Sequence, residues 1–424
     1  MNIFKEIIHN ASRILTYGVY IISLYYLCIS FFGLWKKKDD KEVKAKFSFA
    51  LIVAAHNEEI VIDGIVESLK ALDYPKELYD IFVVADNCTD KTAKKAREKG
   101  AIVYERFNKD KKGKGYALEW MFNKLFKMRK KYSSVAIFDA DNLVHKDFLK
   151  EMNKKLCEGY KVVQGYLDSK NPQDTWITGS YSIAFWTNNR MFQLAKSNLG
   201  LSTQLGGTGF CIETNMLKKL GWGATCLTED LEFTCKLILH GYKIGWAHKA
   251  IVYDEKPLTL RQSWRQRKRW MQGFTDVASR YFFKLLKKGV TSFSFIPFDC
   301  ALYSIQPIVT VLIGISAISG LVQHFMVTYN VISNFNTVVY SINISLFTIL
   351  TIVASIFQYA YTPFVLILEE KLSFKIFLYY IIYPLYVLSW FPISIQGILN
   401  KNNKEWSHTV HTRSVKMKDL KKAN

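Results

Sequence analysis

Three short groupings in this chain have the residue types and spacing for chemistry. Asp139-Ala140-Asp141 sets two carboxylates one residue apart at the end of an apolar run. That pair can offer hard oxygen ligands to an octahedral Mg2+ or Mn2+ that also holds phosphates, although a turn after a strand often looks the same. Thr228-Glu229-Asp230 leads into Leu231-Glu232-Phe233, a helix start that favours acidic residues even where they only cap it. Gln266-x-x-Arg269-Trp270 places three groups at i, i+3 and i+4, on one face of a helix. The Trp offers an apolar ring for a sugar and the Arg a planar fork for phosphate. Lys112-Gly113-Lys114-Gly115 would let backbone and ammonium approach a diphosphate, or be a flexible basic turn.

The elements that must position these groups read as α/β. Phe47 to Ala55, Ile81 to Ala85 and Val135 to Phe138 are apolar β-prone runs, and a parallel sheet with helices on its faces is predicted. Ligands of such sheets sit beyond the C-terminal strand ends. His56-Asn57-Glu58, Asp86-Asn87 and the Asp139/Asp141 pair are therefore expected to meet in one crevice. Leu258 to about Leu286 reads as one helix, with a stripe through Leu260, Trp264, Met271, Phe274, Ala278, Tyr281, Phe282 and Leu285 and a basic flank. That stripe predicts a helix lying in a membrane interface, with Gln266, Arg269, Trp270 and Gly273 on a separate face.

The 424 residues are half hydrophobic, and a mean hydropathy of +0.03 averages two unlike parts. Residues 36–290 are rich in charge, whereas 14–35 and most of 296–400 are nearly uncharged. This is the pattern of a membrane protein with a soluble insert. Ile14 to Trp35 is long enough to span the hydrocarbon core, and no small-residue cleavage site precedes its lysines. Lysines follow the first apolar segment and a basic tail follows the last, which places both flanks in the cytoplasm. The net charge of +21 thus needs no nucleic acid, and no recognisable module interleaves aromatic with basic residues. The seven cysteines form no C-x-x-C pair, so reduced thiols and no zinc site are expected.

Spans are predicted near 299–325 and 338–367. Segment 373–399 contains Pro384 and Pro392; a broken, partly interfacial path is expected, returning the tail to the cytosol. The division is a transmembrane helix over 1–35, a cytosolic domain over 36–257, an interface helix over 258–290, transmembrane and interfacial helices over 291–400, and a basic tail over 401–424.

Joined by Ala54 to Glu59, Val84 to Asp90 and Gln204 to Gly209, the motifs run in one order across about residues 48–275. In this they resemble the processive family 2 glycosyltransferases, the membrane synthases of cellulose, hyaluronan and chitin type. The resemblance implies an α/β GT-A domain with a Rossmann-like mixed sheet, inserted between transmembrane and interfacial helices at the plasma membrane. It implies a UDP-sugar donor, UDP-glucose ahead of UDP-N-acetylglucosamine, an Mg2+ or Mn2+ cofactor, and a β-linked polysaccharide that is both growing acceptor and exported product. Carried over by motif, Asp230 is the general base, and Asp139 and Asp141 hold the metal. His56, Asn57, Glu58, Asp86, Lys114, Asp139, Gln266, Arg269 and Arg413 face the donor; Gly207, Thr208, Glu229 and Trp270 face the acceptor. Trp406, Thr409 and His411 loosely resemble a gating loop that folds over the donor, against the simpler reading of a tail bound to anionic lipid. With a tail of this length after Leu399, no cyclic-di-GMP-binding domain is expected. The nearer alternative is a non-processive transferase acting on a membrane lipid. A transporter would require ionisable residues within its spans, and 301–366 has almost none.

Overall fold

The computed structural model describes residues 2–36, 42–224, 226–333, 359–403, 411 and 413–423. The chain opens with α1 (Asn2–Phe31), then builds β1 (Phe49–Ala55), α2 (Ile62–Lys70), β2 (Tyr79–Asp86), α3 (Thr92–Glu98), β3 (Ile102–Arg106), α4 (Lys114–Lys127), β4 (Ser134–Asp139), β5 (Leu143–Val144), α5 (Phe148–Cys157) and β6 (Val162–Ser169). There follow α6 (Trp176–Asn188), a π-helical turn (Asn189–Leu194), α7 (Ala195–Asn198), β7 (Phe210–Glu213), α8 (Thr214–Leu220), α9 (Glu229–Leu239) and β8 (Ile244–Asp254). The strands form one mixed sheet in the order β3-β2-β1-β4-β7-β6-β8-β5. This is a GT-A fold.

Alternation along the strands explains its two-sided core. In β1, Phe49, Leu51, Val53 and Ala55 join the cluster on one face, while Ala50 and Ile52 join the other. A period of two is what a pleated strand imposes. β1 pairs in parallel with both β2 and β4, in a register that sets Ala55 beside Ala85 and Ala54 beside Asp139. The ends of β1, β2 and β4 therefore lie side by side, as expected. β7 runs antiparallel to β4, with Phe210 opposite Ile137, so the glycine-rich residues entering β7 arrive at this same edge.

α10 (Leu260–Thr291) starts at a capping box formed by Thr259 and Gln262. Its stripe departs from the sequence reading. Met271, Ala278 and Leu285 are buried, Leu285 in a cluster with α9 and with α11 (Phe295–Ser304). The apolar face covers protein because neighbouring helices offer a matching surface, leaving Leu260, Phe283 and Val290 among its exposed large apolar residues. α11 bends by 65° into α12 (Gln306–Ser333) at Ile305. The predicted span at 299–325 is thus a bent pair, and most of the one at 338–367 lies outside the described residues apart from α13 (Tyr359–Leu368).

α14 (Phe374–Leu388) passes through Pro384, and the break comes at Ser389 before α15 (Trp390–Leu399). Pro392 sets that position, because proline has no N–H for the carbonyl four residues back and its ring crowds that carbonyl. By length and composition Phe374–Leu399 could cross a membrane, as could Ile14–Phe31. These two helices are candidate membrane spans. Both ends of Phe374–Leu399 are nevertheless fastened near the α/β domain: Tyr379 donates its hydroxyl to the Gln173 carbonyl (3.2 Å), and Gln272 on α10 donates to the Asn400 carbonyl (3.0 Å). The last element is α16 (Met417–Ala423).

Two buried cations join the α/β domain to the flanking helices. Arg190 in the π-helical turn donates to the Gly33 and Leu34 carbonyls after α1 (2.7 and 3.1 Å) and to Glu369 after α13 (2.7 Å). Lys196 pairs with Asp299 of α11 at 2.9 Å, both nearly inaccessible. Removing one partner from such a pair costs about 3–5 kcal/mol, since it strands a buried charge.

Candidate active site

A cavity of about 990 Å³ opens where these strand ends meet. At one end two loops are tied together. His56 Nδ1 lies 2.7 Å from the Asp86 carbonyl, and the Thr89 amide donates to Asn57 Oδ1 at 2.8 Å. Asn57 and Asn87 both adopt positive φ, 53° and 52°, a conformation that asparagine tolerates better than most residues. His56, Glu58 and Asp86 line the cavity. Asn57 does not, because its side chain is turned into the loop by Thr89. Asp86 is buried against Arg106, which sits directly opposite it in the β2–β3 register. Reading strands singly gave no signal for Arg106.

In the middle stand the carboxylates. Lys114 binds Asp139 and donates to the Gly207 carbonyl at 2.7 Å. Burial alone would lower the Lys114 pKa, but Asp139 and Glu229 outweigh it and hold the ammonium up. Asp141 accepts from the Glu255 amide at 2.9 Å. Burial works against its charge too, yet His411 and Lys170 keep its pKa below the usual value. Among the described residues no group of three or more His, Cys, Asp or Glu is arranged for a metal ion. Two hard carboxylates nonetheless fit Mg2+ or Mn2+, since such ions take one or two protein carboxylates and complete their shell with phosphate and water.

Asp230 lies in the first turn of α9. Its Oδ1 accepts from the Leu231 amide (2.8 Å), and a Cβ placed on Gly207 would be 3.5 Å from Oδ2. Gly207 has φ 83°, so glycine is required there for conformation. Thr208 accepts from the Asp139 amide at 3.1 Å, fixing the glycine loop to the carboxylate turn. Burial raises the pKa of Asp230 and lifts Glu229 to about 7. Burial likewise brings Asp254, which the sequence reading missed, to about 6 on the same wall.

α10 presents Gln266, Arg269 and Trp270 to the same cavity. Burial lowers the pKa of Arg269, against the pull of Glu229 and Asp139. Tyr181 of α6 donates its hydroxyl to Gln266 Oε1 at 2.9 Å, and its ring meets Trp270 edge-on at 6.1 Å. Trp390 stacks near-parallel to Trp270, with centroids 6.5 Å apart. Neither Tyr181 nor Trp390 belongs to a recognisable motif, and only packing brings them here.

The tail returns to the cavity. His411 lies on Glu58, Nδ1 to Oε1 2.9 Å, with Nε2 4.0 Å from Asp141. Burial opposes its charge, but Asp141 and Glu58 outweigh burial and raise its pKa to about 9. Arg413 does not line the cavity, because its guanidinium is taken by Asp174 outside. Trp406 and Thr409 lie outside the described residues.

A strand-end crevice in a GT-A sheet, with paired carboxylates, an acidic helix start and an Arg-Trp helix face, defines a class of sugar-transfer enzymes. The profile of the family described as Glycosyltransferase like family 2 matches residues 46–273, more than half of the chain, and the chain belongs to that family. It is similar to the probable glycosyltransferase YdaM of Bacillus subtilis, 29% identical over 57% of this chain and 59% of that one. It is equally similar to a beta-monoglucosyldiacylglycerol synthase of Nostoc sp., 29% identical over 55% of this chain and 50% of that one. The chain thus spans between half and three fifths of the length of these curated relatives. A poly-beta-1,6-N-acetyl-D-glucosamine synthase of Staphylococcus epidermidis is 26% identical over 87% of this chain and 85% of that one. The fold matches that of a Pyrobaculum calidifontis mannosyltransferase solved with GDP-Man and Mn2+, at TM-score 0.59 and 16% identity, covering 92% of this chain and 97% of that chain.

Proposed function

We propose that this protein transfers a hexose from a UDP-sugar to the end of a growing β-linked polysaccharide, with inversion at the anomeric carbon, and passes the polymer across the membrane. One observation carries the reading: a single cavity is lined together by His56, Glu58 and Asp86 of the two tied loops, by Asp139, Asp141 and Asp230, and by Arg269 and Trp270 of α10. Groups suited to donor, cation, base and acceptor thus share one space, as a direct displacement requires.

In this reading His56, Glu58 and Asp86 hold the nucleoside, with Asn57 shaping their loop. Lys114, Gln266 and Arg269 face the diphosphate. Asp139 and Asp141 would hold a divalent cation, which when bound would supply positive charge against that developing on the leaving group. Gly207, Thr208, Glu229 and Trp270 seat the acceptor. Asp230 takes the proton from the acceptor hydroxyl while its oxygen forms a bond to C1. The C1–O bond to the diphosphate breaks with its electron pair, and UDP leaves. The tail, with His411 on Glu58, closes over the donor and excludes water. For the tail to reach this site, Phe374–Leu399 must lie along the interface, as its two attachments to the catalytic side favour.

UDP-glucose and UDP-N-acetylglucosamine are the two candidate donors, and the extent of the match to the Staphylococcus synthase weighs toward the second. A second reading, single transfer to a membrane lipid, is favoured by the likeness to the Nostoc synthase. Purified protein supplied with each radiolabelled UDP-sugar and Mg2+ or Mn2+ separates them: sizing the product is expected to show a polymer. A single lipid-soluble glycoside in place of polymer would overturn the proposal.

A further inference from the structure

A single buried side chain holds the glycine loop of the site. Gln164 on β6 stands opposite Phe210, the first residue of β7, and is 1% exposed. Its Oε1 accepts from the Gly206 amide at 2.9 Å, while its Nε2 donates to the Thr208 and Gly165 carbonyls at 2.9 Å each, with the Gly209 carbonyl at 3.2 Å. Carbonyls around the nitrogen and an N–H on the oxygen leave one orientation for the amide. Gly206 and Thr208 lie ahead of the ladder that β7 makes with β4 and β6. A carboxamide offers the same donor and acceptor as a peptide group, so Gln164 stands in for the missing strand. Gln193 in the π-helical turn treats Gln204 the same way, accepting from its amide and donating to its carbonyl, both at 3.0 Å.

The two bonded residues straddle Gly207. With the chain fixed on both sides, the Gly207 carbonyl is kept on the Lys114 ammonium at 2.7 Å, and that ammonium also binds Asp139. Thr208 carries the same order into the carboxylate turn, its hydroxyl donating to Asn142 Oδ1 and accepting from the Asp139 amide. Left to itself, a glycine at φ 83° has other conformations within easy reach. Gln164 lines the cavity, but its amide is spent on the loop, so its effect on a ligand passes through Lys114.

Resting on the placement of Lys114 at the diphosphate, we infer that Gln164 is a positioning residue for the donor: it fixes the Gly207 carbonyl, and that carbonyl aims the Lys114 ammonium at the leaving group. Were Gln164 only filling the core, its loss would act on UDP binding independently of Lys114.

The test is a double-mutant cycle on the full-length protein in lipid nanodiscs, read as the Kd for UDP in saturating Mg2+. Lys114→Met and Gln164→Met, the second similar in volume but without the amide, should each weaken UDP by roughly tenfold or more, the worth of one hydrogen bond to a charged group. In the double variant the two losses should not multiply: UDP should bind within about twofold of its affinity for Lys114→Met alone, because the route through Lys114 is already gone. Gln164→Glu keeps the shape and the acceptor for Gly206 but, when ionised, offers no donor to Thr208; it repeats the cycle should Gln164→Met not fold. Losses that multiply overturn the inference, as does a Gln164 variant that binds UDP like wild type. Failure of both variants to fold would make Gln164 a stability residue only, and the inference falls. A Lys114→Met protein with wild-type UDP affinity overturns instead the placement of Lys114 at the diphosphate and takes the inference with it, a result read before Gln164 is touched.

Discussion

Thr228 packs directly against Gly273: a Cβ placed on Gly273 would lie 2.5 Å from both the Cγ2 and the Oγ1 of Thr228. That contact joins the acidic turn opening α9 to the helix that bears Arg269 and Trp270. Glycine is therefore needed in mid-helix, where alanine would otherwise be favoured by about 1 kcal/mol.

Gly273→Ala should push α10 away from Asp230, because the backbone of neither motif can yield cheaply. We expect kcat to fall at least tenfold with UDP affinity little altered, measured by steady-state kinetics beside UDP titration calorimetry. A fully active Gly273→Ala enzyme would show that α10 and the acidic turn can move apart without harm.

Asp230→Asn keeps the shape of the side chain and removes its basicity. Loss of catalysis by two to four orders of magnitude, about the span of general acid–base contributions, is expected in a folded protein that still binds UDP. Near-normal product from that variant would remove Asp230 from the role of base.

The pH profile has a definite sign. A base works deprotonated, and burial places the Asp230 pKa above the usual carboxylate value. Activity should be present above that raised pKa and fall as pH drops through it, so the acid limb of kcat lies above the range of a free carboxylate. A rate flat down to the ordinary aspartate pKa would contradict this.

Asp141→Asn should weaken cation-dependent UDP binding and leave its cation-free part intact. Titrating UDP with and without saturating Mg2+ reads both; an Mg2+ enhancement equal to that of wild type would argue that Asp141 is not a metal ligand.

Truncation after Asn403 removes His411 and its contact with Glu58. Turnover should fall steeply while membrane insertion is kept, and His411→Ala should reproduce part of that fall. Full activity in the truncated protein, or labelling of the tail from outside the cell, would end the closing role of the tail.

Much of the site was legible in the sequence because its groups are local. A pair of aspartates at a strand end, an acidic helix start and an i, i+3, i+4 face each depend on backbone geometry set by near neighbours. The parallel register of β1 with β2 and β4 follows from their apolar runs, and it alone brings His56, Asp86 and Asp139 together. What depends on contacts distant in the chain was not legible. Arg106 meets Asp86 only through strand pairing, Tyr181 reaches Gln266 across 85 residues, and Trp390 stacks on Trp270 only because α15 lies against α10. The apolar stripe of α10 shows the same limit. Period and composition establish that one face avoids water, but a helix buries that face equally well in lipid or against protein. Only the tertiary structure, by supplying α9, α11 and α15 as partners, decided which.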